Sequence, residues 1–130
     1  MTGLDTNILL RYMLKDDDSQ SQKAERLVEQ LTESKPGFVS VVVIVELAWV
    51  LEKVYNFADR QIAMAIERML QVDVLVVEHH FEVYLAVVAL RKGQGHFGDA
   101  LIGAIARRAG CKQILTFDRK ATRLPGFALL

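Results

Sequence analysis

The sequence predicts an α/β fold, a three-layer α/β/α sandwich around a central parallel sheet, and three observations carry that expectation. Short apolar segments alternate with longer amphipathic ones along the whole chain, and parallel strands need a helical crossover between each pair. The strand candidates are apolar throughout instead of alternating, as strands covered on both faces must be. A length of 130 residues with 52% hydrophobic side chains supplies one core for one domain spanning 1–130. Such a chain buries roughly 65–70% of its unfolded surface without disulfides or a structural metal, and its composition excludes disorder.

In chain order, Gly3-Leu4-Asp5 is a very short strand, and the apolar spacing of Ile8 to Leu14 suits a short helix. Asp16-Asp17-Asp18-Ser19 offers N-caps to a second helix with Ala24, Leu27, Val28 and Leu31 on one face, ending before Pro36-Gly37. Phe38-Val39-Ser40 reads as a strand. The β-branched run that follows continues to Tyr55 without a turn residue, too long for a typical strand, which predicts a buried helix over Val41–Tyr55 capped by Ser40. Asp59–Gln71 is a further helix, Val74–Val77 a strand, and Phe81–Lys92 a helix ending at Gly93. Asp99–Ala109 is a helix rich in small residues, which permits close approach to a sheet, with Gly110 as its stop. Gln113–Phe117 is the next strand, and Leu124-Pro125-Gly126 turns into a last one, Phe127–Leu130.

The net charge is zero but unevenly spread. Residues 1–90 carry 8 basic and 14 acidic side chains, whereas 91–130 carry 8 basic and 2 acidic. The positive last third either attracts a polyanion such as nucleic acid or pairs with the acidic first part across the fold. The lone Cys111 has no intramolecular disulfide partner, which fits a reducing cytoplasm. The longest apolar stretch, Val41 to Leu51, is interrupted by Glu46 and too short to cross a bilayer, and Asp5 stands where a signal peptide needs a basic and then an apolar region. A soluble, unexported protein with no membrane partner is expected.

In parallel α/β sheets ligands sit beyond the C-terminal strand ends, where the strand order reverses. Four carboxylates fall there: Asp5 ends the first strand, Glu46 lies in the most apolar helix, Asp99 opens the small-residue helix, and Asp118 ends the strand Gln113–Phe117. Each also has a local explanation. Asp5 serves as a helix N-cap, Asp99 as a favourable charge in a first turn, Asp118 as a turn residue beside Arg119 and Lys120, and Glu46 as half of a buried ion pair. None of these explanations accounts for four acids at one rim. Converging carboxylates repel unless a cation lies among them, and hard oxygen ligands suit Mg²⁺ or Mn²⁺. The matching chemistry is phosphodiester hydrolysis. Thr116 and Asn7 stand beside two of the acids, either to orient a water or phosphate or as turn hydrogen-bonders. Arg107, Arg108, Arg119 and Lys120, with Lys112 and Arg123, are candidate phosphate contacts that specify no base. His96 reads as a loop residue, and Trp49 and Tyr12 as core or interface.

Leu4-Asp5-Thr6-Asn7, Ser40 with Glu46-Leu47, Asp99-Ala100-Leu101-Ile102, and Thr116-Phe117-Asp118 followed by Leu124-Pro125-Gly126 resemble, in order and spacing over essentially the whole chain, the PIN-domain ribonucleases, in particular VapC-type toxins of toxin–antitoxin pairs. The resemblance implies an α/β/α fold, Mg²⁺- or Mn²⁺-dependent cleavage of an RNA substrate, inhibition by a cognate antitoxin, and a homodimer. It makes Asp5, Glu46, Asp99 and Asp118 an acidic quartet with Thr116 as its hydroxyl neighbour. Two other classes compete. An aspartyl phosphoacceptor would use Asp5 as nucleophile, but the second acid it needs two residues on is Asn7. A non-catalytic interaction module would keep the fold and bind a partner without using the quartet.

Overall fold

A computed structural model describes residues 1–130 as an α/β sandwich of six helices and five short parallel strands. In order these are β1 (Thr2–Gly3), α1 (Thr6–Leu14), α2 (Asp18–Gln30), β2 (Gly37–Val39), α3 (Val41–Lys53), α4 (Asp59–Leu70), β3 (Leu75–Val77), α5 (His80–Arg91), α6 (Phe97–Arg108), β4 (Ile114–Thr116) and β5 (Phe127–Leu129). Every predicted element is present, with ends displaced by a residue or two. A single 3₁₀ turn over Lys120–Arg123, between β4 and β5, has no counterpart in the sequence reading.

The strands pair more sparingly than one continuous sheet requires. Backbone hydrogen bonds form a three-stranded ladder ordered β1-β2-β3 and a separate two-stranded ladder of β4 and β5, all parallel. The expected reversal of strand order therefore falls within neither ladder. With only two or three residues per strand, each ladder has few bonds, and the sheet depends on the helices that cover it. In the three-stranded ladder Gly3 pairs with Phe38, and Val39 with Val77. Continuing that register one residue past β2 and β3 puts Asp5, Ser40 and Glu78 level along one edge.

Capping explains the helix starts. The Asp5 carboxylate accepts the Thr6 amide at 2.8 Å, so α1 begins two residues before its apolar face. Asp17, one of the three consecutive acids, is the cap of α2 through the Gln20 amide at 2.9 Å. Its neighbour Asp16 takes Arg11 at 2.9 Å and the Tyr55 hydroxyl at 3.0 Å, which ties the α1–α2 connection to the segment after α3. The Tyr55 hydroxyl, and after it Arg11, hold the Asp16 carboxyl below its usual pKa. Ser40 caps α3 as expected, through the Val43 amide. Gly93 and Gly110 follow α5 and α6 with positive φ, the left-handed stop that glycine adopts without strain.

The core gathers Leu9, Val39, Ile44, Leu47, Leu51, Ile66, Val83, Val87 and Leu101, all fully buried. The small-residue helix does approach a strand closely: a Cβ on Gly103 would lie 2.6 Å from the Phe127 ring of β5. One expectation fails. Helix α3 is not buried all round, because Val42 is 72% and Trp49 58% exposed while Ile44, Leu47 and Leu51 face inward. Apolar composition fixed no inward face here, since periodicity is lost when both faces are apolar. No helix is long and apolar enough to cross a membrane.

Candidate active site

Because the strands are parallel within each ladder, the segments leaving the strands of one ladder emerge at the same end of it. Asp5 follows β1 by two residues and Asp118 follows β4 by two. Asp118 lies beyond its strand, as the sequence suggested, whereas Asp5, expected as the last residue of the first strand, lies beyond it too. Both sit in the turns just beyond, where side chains reach solvent. Asp99 is the third residue of α6, behind the N-cap His96, so the helix opens two residues earlier than expected and the carboxylate lies within its first turn. There the helix dipole favours negative charge.

The apolar neighbours of Glu46 required either a cationic partner or a place at a cleft, and the structure has the second: it is exposed, on the outward stripe of α3. It lines an apolar groove of about 720 Å³ between α3 and α6 with Val42, Val45, Trp49, Gly98 and Ile102. Asp99 lines an adjoining cleft of about 340 Å³ that shares Val45, Trp49, Gly98 and Ile102 with that groove, and His96 stands at its wall. The α3–α6 seam thus brings Glu46 and Asp99 to neighbouring positions. Asp5 and Asp118 line neither depression.

The buried carboxylate of this chain is Glu82, in the first turn of α5, with a side chain only 3% exposed and Arg108 at 2.8 Å. That pair uses one of the cations expected to meet RNA. Arg107 is used as well, donating to the Pro125 carbonyl at 2.7 Å and so holding the turn before β5. Both arginines thus have structural partners and remain exposed beside them. Arg119 and Lys120 remain exposed beside Asp118 and make no ion pair. Asn7 is exposed on α1 and lines a groove toward α2 with Arg11, Gln20 and Lys23.

Asp118 is held by its own turn. Its amide donates to Thr116 Oγ1 at 3.0 Å, and its Oδ1 accepts the Lys120 amide at 2.9 Å. Thr116 is therefore engaged as an acceptor, and its hydroxyl proton is available to a second partner. The four acids share one property that their local explanations did not predict for Asp118 and Glu46: none of the four makes an ion pair. No three His, Cys, Asp or Glu side chains stand close enough together to hold a metal ion. The donors are hard carboxylate oxygens, the right chemistry for Mg²⁺ or Mn²⁺, but their side chains are not gathered.

A family model described as PIN domain matches residues 4–126. The chain belongs to the PIN domain family. It is also similar to a VapC ribonuclease of Aquifex aeolicus (strain VF5), with 30% identity over 125 residues that cover 95% of this chain and 92% of that relative. The PIN domain match begins at Leu4, just before Asp5, and ends at Gly126, after Asp118. Asp5, Glu46, Asp99 and Asp118 thus all lie inside the matched span.

Proposed function

We propose that this PIN domain is a metal-dependent endoribonuclease, a single catalytic unit of residues 1–130 that hydrolyses RNA phosphodiester bonds as the toxin of a toxin–antitoxin pair. The observation that carries the reading is a set of four carboxylates, Asp5 and Asp118 just past strands, Asp99 in the first turn of α6 and Glu46 on the outward stripe of α3, all without a cationic partner in the protein. The VapC ribonuclease relative, matched along nearly its whole length, supports RNA as substrate. Asp5, Glu46, Asp99 and Asp118 would hold Mg²⁺ or Mn²⁺, an ion that polarises the phosphate and lowers the pKa of a bound water. Thr116 keeps Asp118 in place through its amide and offers its hydroxyl to a phosphate oxygen. Arg119 and Lys120, exposed beside Asp118, attract the polyanion without reading bases.

Two apolar depressions support protein partners. The groove between α3 and α6, with Val42, Trp49 and Ile102 (56% exposed) on its walls, is more apolar than a free surface usually presents, and we assign it to a homodimer. A second groove of about 590 Å³ lies between α1 and α4, lined by Tyr12, Met13, Phe57, Met64 and Met69. Flexible methionine side chains adapt to an incoming apolar segment, and a cognate antitoxin is its expected occupant. The exposed, unpaired Cys111 is compatible with a cytoplasmic protein.

The test of the metal site needs no RNA. In a calorimetric Mn²⁺ titration, the wild type should bind saturably and Asp99→Asn should not, with circular dichroism unchanged between the two. Equal binding by both chains would refute the quartet. For the dimer, light scattering during size exclusion should give twice the chain mass for the wild type and a single chain mass for Trp49→Glu. A wild type that runs as a monomer would remove that assignment.

A further inference from the structure

Phe117 is the most exposed large hydrophobic side chain in the protein, at 82%, and the proposed chemistry gives it no task. It stands between Thr116 and Asp118, where the chain leaves β4. A single apolar side chain in water is ordinary on a protein surface. This one differs in how firmly its backbone is held. On one side the Thr116 carbonyl accepts the Leu130 amide at 2.9 Å. On the other, the Asp118 amide donates to Thr116 Oγ1 at 3.0 Å, and Asp118 Oδ1 accepts the Lys120 amide at 2.9 Å. The 3₁₀ turn beyond is pinned by Ala121 and Leu124, both buried. The ring is thus offered to solvent from a fixed base, so little freedom is lost when it makes a contact.

Its surroundings point to a nucleic acid and not to a protein. Asp118, Arg119 and Lys120 after it are all exposed, and neither cation has an ion-pair partner. Phe117 lines neither the α3–α6 groove nor the α1–α4 groove, the two apolar depressions of the surface. An aromatic face beside unpaired cations is the arrangement that holds a single strand: phosphates meet the charges, and a base stacks on the ring whatever its identity. We propose that Phe117 binds substrate by stacking on a base of single-stranded RNA, seating that nucleotide beside Asp118. The inference rests on RNA being the substrate of this domain, and not on how its carboxylates hold a metal.

Binding is read by fluorescence anisotropy with the full chain, in EDTA so that no metal takes part. The probes are a labelled single-stranded RNA and a strand of equal length without bases. Phe117→Ala should weaken RNA binding by about ten- to a hundredfold, the range one base–aromatic stack supplies, and leave the abasic strand bound as before. Phe117→Tyr, which keeps the ring face, should bind RNA like the wild type, whereas Phe117→Leu, apolar but without a ring, should behave like Ala. Thermal melts should not separate the four proteins, since the ring lies outside the core. An Ala variant that binds RNA like the wild type overturns the proposal, as does an equal loss on both strands. A Leu variant as good as Tyr overturns it too, because the contact is then apolar and not aromatic, of the kind that Phe117 and the exposed Leu115 of β4 would offer a protein. A wild type that binds neither strand overturns RNA as the substrate, a failure distinct from these.

Discussion

Asp5→Asn should cost RNA cleavage about 10²–10⁴-fold, the range expected when a charged group at a reacting centre is removed, and should leave the fold standing. The two halves of that expectation have different physical origins. Asp5 is the N-cap of α1, its Oδ1 taking the Thr6 amide at 2.8 Å, and Asn is an N-cap as good as Asp. The substitution therefore preserves the hydrogen bond that the structure shows and removes only the charge, which no cation in the protein uses. The comparison to make is cleavage of the same RNA, in Mn²⁺, by the two proteins, beside their thermal melts. If Asn at this position cleaves as fast as Asp, the carboxylate is a cap and nothing more. Asp5→Ala would be a poor substitute, since loss of the cap alone costs about 1 kcal/mol and would confuse the two effects.

Leu47→Ala should have the largest effect on stability. Leu47 is adjacent to Glu46 in sequence, yet it is fully buried in the core with Ile44 and Leu51 on the inner face of α3. Truncating a buried leucine costs about 2–5 kcal/mol, the transfer term plus the cavity left behind. For a domain of this size that lowers Tm by on the order of 10 °C or more. Val54→Ala, just past the end of the same helix and 61% exposed, should fall within about 0.5 kcal/mol of the wild type. Thermal melts of the two variants at one protein concentration test the burial of Leu47. Equal losses would mean that Leu47 is no more buried than Val54.

The type and order of the six α-helices and five strands were legible in the sequence because they follow from local signals. Apolar period, the caps at Asp17 and Ser40, and the glycine stops at Gly93 and Gly110 act within a turn or two of where they stand. Asp5, Asp99 and Asp118 were legible too, since strand ends and helix starts can be located from the same signals, and Glu46 stood out as the one charge in an apolar run. Their neighbours were not. Val41 to Val45 is apolar on every side, so nothing in the chain said which side of α3 would meet the core. Packing against α1, α4 and α6 decided that, and it turned Glu46 outward.

The same limit applies to charge. Glu82 and Arg108 are separated by 26 residues, and no local pattern announces that one will be buried against the other. The positive last third of the chain was visible as composition, and the structure realises the pairing reading for one of its cations. Arg108 pairs with an acid from the first part, while Arg119 and Lys120 remain exposed beside Asp118. By itself the sequence determined the elements, their order and the hard-oxygen chemistry available, all set by local energies of a few tenths to a few kcal/mol. Only the tertiary structure decided which apolar face is inside and which cations are already engaged, because each depends on contacts between residues far apart in the chain.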